Sequence, residues 1–349
     1  MVKKEKKATN EFNQEMKSVS LTADAWNRLR KNKMAYASFW IVVVYALVAL
    51  FAPVLPFYPY AQQNLNHTNL PPSFQKAGDM ELVTRKAYFA KVMAKEKRGE
   101  YNAEEQAVIA SIEERNKTDP EQNRRYLLGT DSLGRDMLSR TVYGGRISMM
   151  VGLIGTVTAL LIGIVIGSIA GYAGGRIDSF LMRFVDVMYG LPYMLVVIIM
   201  MAIVGRNVAI LFIAIALVSW LTIGRVVRGQ VMSLKNMEFV LAARSMGAGP
   251  WYIIMHHLIP NTVGIIIVYT ALSLPSFIMS ESFLSFLGLG ISAPLASWGS
   301  LISDGVQGMA LYPWCLLVPA IVMTVFLFAM NFLGDGVRDA FDPQSKNRV

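Results

Sequence analysis

The sequence predicts an all-α protein that crosses a membrane six times, and three observations carry that reading. Hydrophobic residues make up 54% of the 349-residue chain and charged ones only 16%, against about a quarter in an ordinary soluble domain. The apolar residues are blocked into long uncharged runs, such as 193–204 and 314–332, instead of being spread in amphipathic patterns. The basic residues behind the formal charge of +9 gather in a polar N-terminus and in loops between those runs. Positive-inside topology accounts for them without a nucleic-acid partner.

The predicted spans are 35–54, 149–171, 187–204, 208–223, 262–282 and 313–332, each near the ~20 residues that cross ~30 Å of hydrocarbon. The first follows a long polar stretch rich in Lys and Arg, and no A-x-A cleavage pattern comes after it. It reads as a retained signal anchor that leaves the N-terminus in the cytoplasm. Segments 1–34, 172–186, 224–261 and 333–349 are then cytoplasmic, and both chain ends lie inside. Segment 55–148 lies outside, its basic residues tolerated because loops beyond ~60 residues escape the charge bias. The core is 149–332, a five-helix body holding the cytoplasmic loop 224–261, with 333–349 as a tail.

Within the outer segment, 80–118 reads as a helical hairpin. Helix formers fill 80–98, Gly99 interrupts, Asn102 and Glu105 form a capping box, and Pro120 closes the second helix. Leu82, Tyr88, Phe89 and Val92 on one helix and Val108, Ile109 and Ile112 on the other are expected to cover each other. The neighbouring charges, Glu105 among them, form a solvated face or a docking surface. In the second span Gly163, Gly167 and Gly171 recur every four residues, which allows close helix approach within the chain or to a partner. Pro192 and Pro275 suggest kinks. The lone Cys315 is a packing residue in the last run and has no partner for an intrachain disulfide.

Enzyme chemistry finds no constellation. The three histidines are His67, in the outer segment, and the adjacent His256 and His257, so no H-E-x-x-H helix exists. Neither a G-x-S-x-G elbow nor a G-x-x-x-x-G-K-[ST] loop occurs. The expectation is a non-enzyme that binds no cofactor or metal, with any ATP and Mg2+ held by another chain. Ionisable residues are nearly absent from span centres. Glu281, about 30 Å along the fifth span from Asn261, is placed at the outer interface, solvated, hydrogen-bonded, or at the mouth of a pathway.

The most informative stretch is 238–260. Its first half favours a short helix from Glu238 ending at Gly247, with Gly249-Pro250 as a break and a second helix starting near Trp251. Ala242, Ala243 and Ser245 keep the first helix slim, suited to a partner's groove or to an interface within the chain. Ala242-Ala243, Gly247 and Pro260 at this spacing resemble the EAA loop of membrane subunits of bacterial ATP-binding-cassette importers. The resemblance implies a coupling helix for an ATPase formed by Glu238, Leu241, Ala242, Ala243, Arg244, Ser245, Met246, Gly247 and Pro260, although Leu241 stands where that motif has Glu.

Two further stretches are similar to the C-type permease of oligopeptide and dipeptide importers. One runs over 128–140, with Gly129, Thr130, Asp131, Gly134, Arg135, Asp136 and Arg140. The other contains Glu281, Gly288, Gly290, Trp298 and Gly299, with Trp298 read as an interfacial anchor. The resemblance covers about 126–343 and implies the type I importer permease fold. It also implies a multi-pass place in the bacterial cell membrane, a homologous permease partner, two ATPase subunits and an extracytoplasmic peptide-binding protein. The same transporter class with a metal chelate, glutathione or another small solute as cargo is the alternative. An ion-coupled secondary transporter is the alternative of another class, disfavoured by the missing mid-span charges.

Overall fold

The computed structural model describes residues 21–205 and 208–341. Residues 1–20 of the predicted N-terminal segment, 206–207 of a short outer loop and 342–349 of the tail lie outside the described residues. Twelve α-helices follow in order among those described: α1 (Leu21–Lys31), α2 (Lys33–Phe51), α3 (Ala77–Glu96), α4 (Ala103–Thr118), α5 (Met137–Ala173), α6 (Gly175–Gly190), α7 (Tyr193–Val204), α8 (Val208–Leu234), α9 (Glu238–Ser245), α10 (Pro250–Phe286), α11 (Trp298–Gln307) and α12 (Trp314–Phe341). The strand content of these residues is one isolated bridge, Thr130 to Asp136.

Helices α2, α5, α8, α10 and α12 are each long and apolar enough to cross a membrane. The predicted third span, 187–204, is corrected: a break at 191–192 divides it between α6 and α7, which meet at 79°. Pro192 restricts Leu191 to an extended conformation, and that residue cannot continue α6. Helix α7 has 12 residues, about 18 Å, and needs α6 to complete a crossing.

Several helices run past the predicted span ends. Helix α5 starts at Met137, twelve residues before the predicted span, after its N-cap Asp136, whose carboxylate accepts the Ser139 N–H at 2.9 Å. Helix α8 runs on to Leu234 and α10 starts at Pro250, so most of the predicted cytoplasmic loop 224–261 is helical. The charges that suggested loop are neutralised in place. Arg228 on α8 holds Asp178 on α6 through two bonds of 2.5 and 2.6 Å, and Arg225 reaches Asp186 at 2.6 Å. Helix α1, unforeseen in the sequence, packs Leu29 near Gly336 of α12 and turns into α2 at Asn32, whose side chain accepts the Ala35 N–H.

The core lies between α5 and α8. A Cβ at Gly167 would sit 2.5 Å from the Gly224 carbonyl oxygen, and one at Gly171 2.7 Å from that of Arg228. The four-residue glycine repeat thus serves contact within the chain, letting two backbones touch where lipid supplies no hydrophobic drive. Val151, Ala159, Ile215, Val227 and Phe277 fill the rest of this interface.

The hairpin forms as α3 and α4, with the Asn102–Glu105 capping box in place. Its turn differs: Lys97, at φ +56°, is the left-handed residue that ends α3, not Gly99. The mutual face is narrower than expected, with Phe89 and Ile112 buried but Tyr88 and Val108 exposed. Ion pairs occupy the remainder. Glu105, expected on a solvated face, is buried against Arg98 at 3.0 Å, and Glu81 is buried against Arg115 at 2.6 Å.

Candidate functional site

Helix α10 spans the whole bundle, so the two groups of motif residues stand at its opposite ends. Near Pro250 lies the 238–260 stretch. Helix α9 ends in a Schellman motif: Gly247 N–H bonds the Arg244 carbonyl, Ala248 N–H bonds that of Ala243, both at 3.0 Å, and Gly247 takes φ +83°. That conformation requires glycine. Val240 and Ala243 (2% exposed) turn inward onto Ile253, Leu258, Val227 and Val231. Ala243 is therefore a packing residue, and its small size lets α9 lie close to the body.

The opposite face is open. Phe239, Leu241, Met246, Trp251 and Tyr252 are all exposed, Met246 to 82%, and together they make an apolar surface around α9. Glu238, Ala242, Arg244 and Ser245 are also exposed, and the Arg244 guanidinium lies 5.5 Å from the Tyr172 ring centre. Exposed Pro260 follows a π turn, Ile254–Leu258, inside α10. A proline ring presses on the carbonyl four residues back, here that of His256, and the wider turn makes room for it. Asn261 Nδ2 donates to the His257 carbonyl at 2.6 Å.

At the other end the remaining motif residues build a rigid cap. Asp131 accepts Leu133 N–H and Arg135 N–H at 2.9 Å, Arg135 Nε at 2.7 Å, and Arg140 Nη1. All three charged side chains are buried, Arg140 to 3% exposure. Asp304, 63% exposed, stands 3.9 Å from Arg140. Thr130 Oγ1 accepts Leu70 N–H at 2.8 Å and donates to the His67 carbonyl, while the Thr130 carbonyl accepts Trp314 Nε1–H at 3.1 Å. Gly129 and Gly134 take φ +80° and +69°, and a Cβ at Gly134 would overlap the Asn64 carbonyl. Below this loop, buried His67 bonds Tyr126 Oη at 3.0 Å and Gln122 at 3.1 Å. Burial holds the imidazole below its ordinary pKa and pushes the tyrosine up to about 12, so both stay neutral at pH 7.

Glu281 takes the hydrogen-bonded form of its expected surroundings, whereas Trp298, 1% exposed, is a packed core ring and not an interfacial anchor. Glu281 is fully buried, accepting Ser285 Oγ–H at 2.6 Å and Ser148 Oγ–H at 3.3 Å, and Ser148 Oγ in turn accepts Trp298 N–H at 3.1 Å. The Trp298 ring fits the slot left by Gly145, packs on Tyr45 and Phe326, and donates Nε1–H to the Thr141 carbonyl at 3.0 Å. Gly299 and Gly290 allow contact with Ser282 and Ser285, and Gly288, at φ +74°, ends α10 in a second Schellman motif. The two motifs, far apart in sequence, thus lock α5, α10 and α11 into one cap. Sequence reasoning missed the Asp178–Arg228 tie and the Asp304–Arg140 approach, for which the only signal was charge inside otherwise apolar helices.

No group of three or more His, Cys, Asp or Glu able to hold a metal occurs among the described residues. Residues 163–347 match the family described as binding-protein-dependent transport system inner membrane component, and residues 20–72 match the N-terminal TM domain of oligopeptide transport permease C. The chain is 39% identical to the dipeptide transport system permease protein DppC of Bacillus subtilis, over 94% of this chain and 87% of the relative. It is 37% identical to the oligopeptide transport system permease protein OppC of the same organism, over 94% and 91%. Among solved structures, an inward-facing MetNI methionine ABC transporter is similar with TM-score 0.46 and 16% identity, covering 59% of this chain and 98% of that one.

Proposed function

The chain belongs to the family of binding-protein-dependent transport system inner membrane components, in its oligopeptide and dipeptide permease C branch, and on that premise we propose that it lines the import path for peptides. It is a multi-pass membrane permease subunit of an ATP-binding-cassette importer. The proposal adds the assembly: a homologous permease completes the path, two ATPase subunits bind the end carrying α9, and an external binding protein delivers peptide to the end carrying the cap. ATP and Mg2+ belong to the ATPase subunits, and this chain contributes no cofactor site.

The observation that carries the coupling reading is the exposed apolar surface of Phe239, Leu241, Met246, Trp251 and Tyr252 on a slim helix held rigidly from behind. An apolar surface just beyond a span end favours a protein partner. Leu241 supports docking by burial, where a Glu would have offered an ion pair. The double variant Leu241→Asp, Met246→Asp is expected to reach the membrane at parental levels yet retain less than a tenth of the co-purified ATPase and of ATP-dependent peptide uptake. Parental ATPase recovery would reject this face as the docking surface.

Orientation is tested separately. In a Cys315→Ser background, Ser303→Cys is expected to react with an impermeant thiol reagent added outside cells, and Ser245→Cys only after the membrane is opened. Reaction of both from outside would overturn the proposed topology.

A further inference from the structure

Three polar side chains, Ser276, Thr324 and Asn331, are exposed in stretches 263–286 of α10 and 314–332 of α12 whose other exposed groups are apolar, and all three line one groove between α10 and α12. The groove holds about 600 Å³, and Met279, Met323 and Phe328 supply much of its remaining wall. Ser276 is ten residues from the Phe286 end of α10, and Thr324 is ten from the Trp314 start of α12. Each therefore lies about 15 Å in, half the depth of ~30 Å of hydrocarbon. Asn331 lies about 10 Å further along α12. At comparable positions α2 exposes Ile41, Val44 and Leu47, and α5 exposes Leu153, Val157 and Leu161.

The Ser276 hydroxyl donates to the Leu272 carbonyl of its own helix at 3.4 Å, but acyl chains offer the acceptor oxygens of these side chains no donor, which favours a protein or water-filled surrounding. Asn331 donates its Nδ2–H to the Leu327 carbonyl at 2.9 Å, which leaves Oδ1 as an acceptor toward the groove side of the helix. No charged residue lines the groove. The polar atoms present are those that bond neutral amides. Methionine side chains, unbranched and polarizable, adapt to apolar groups of varied shape.

We propose that the α10–α12 groove is the part of the transport path that this chain lends to its cargo, an extended peptide. Ser276, Thr324 and Asn331 bond the peptide main chain, and Met279, Met323 and Phe328 receive side chains irrespective of sequence. The inference rests on the peptide-import reading and names where, on this subunit, the cargo passes.

The test uses the assembled transporter in membrane vesicles with its binding protein, in a Cys315→Ser background. Thr324→Cys and Asn331→Cys are expected to react with a hydrophilic thiol reagent at least tenfold faster than Leu47→Cys. Saturating trialanine or tetra-alanine, supplied with ATP, is expected to slow that reaction at least threefold. Three outcomes overturn the inference: rates equal to that of Leu47→Cys, no slowing by peptide, or reaction only when the chain is purified without its partners, which would mean that a partner helix fills the groove. Uptake of the same peptides is measured in parallel. Normal uptake with unprotected cysteines rejects the groove assignment alone, whereas no uptake by the parent transporter rejects the peptide-import reading and this inference with it.

Discussion

Asp131→Ala is expected to destabilise the protein by about 3–5 kcal/mol, the range for removing one partner of a buried ion pair. The carboxylate neutralises two buried guanidiniums, Arg135 and Arg140, and accepts two backbone N–H groups of the turn before α5. Deleting it strands both cations out of water and leaves those N–H groups without an acceptor. Asp304→Ala serves as the comparison. That carboxylate is mostly exposed and 3.9 Å from Arg140, so its loss falls within the ~0–1 kcal/mol of exposed pairs. Thermal melting of the detergent-solubilised transporter measures both, and similar losses from the two variants would reject Asp131 as the anchor of the cap.

Gly167→Leu is expected to be at least as severe. Its new Cβ would meet the Gly224 carbonyl oxygen at 2.5 Å, and the obstacle is backbone, which cannot rotate aside. Helices α5 and α8 would have to separate, opening the neighbouring contacts at Gly163 and Gly171 as well. Overpacking alone costs about 1–3 kcal/mol, and the lost seam adds to it, so little inserted protein should accumulate. Gly229→Ala, on the same α8 but facing open space, should be neutral or stabilising by up to about 1 kcal/mol. Membrane levels and melting temperature decide between them. A Gly167→Leu protein that melts like the parent would mean that α5 and α8 do not need this approach.

Residues whose role is local were legible in the sequence. Gly247 had to end α9 because the geometry there needs a positive φ, and the Asn102–Glu105 box needs only its own turn. The spans were visible by hydropathy, but their ends were not. Arg225 and Arg228 looked like loop because their neutralising partners, Asp186 and Asp178, lie on another helix. Trp298 looked like an interfacial anchor because nothing nearby in sequence announces that Gly145 leaves a slot for its ring. Glu281 was placed by counting residues along a straight span. Its actual surroundings depend on Ser148, on a different helix. Ser276 lies far in sequence from Thr324 and Asn331 and on a different helix, and only the packing of α10 on α12 makes the three a group.

The π turn and Pro275 divide α10 mechanically. From Pro250 to Phe286 the helical backbone is continuous for about 54 Å, so motion at Trp251 is carried into the span. Two points on that helix are compliant. One is the widened turn at Ile254–Leu258, and the other is the turn before Pro275, where the Ala271 carbonyl has no N–H four residues on. Between them the stretch from Ile259 to Ala271 is stiff. Force entering beside α9 therefore emerges as bending at Pro275, next to Ser276, which makes α10 a lever whose far hinge is one wall of the groove.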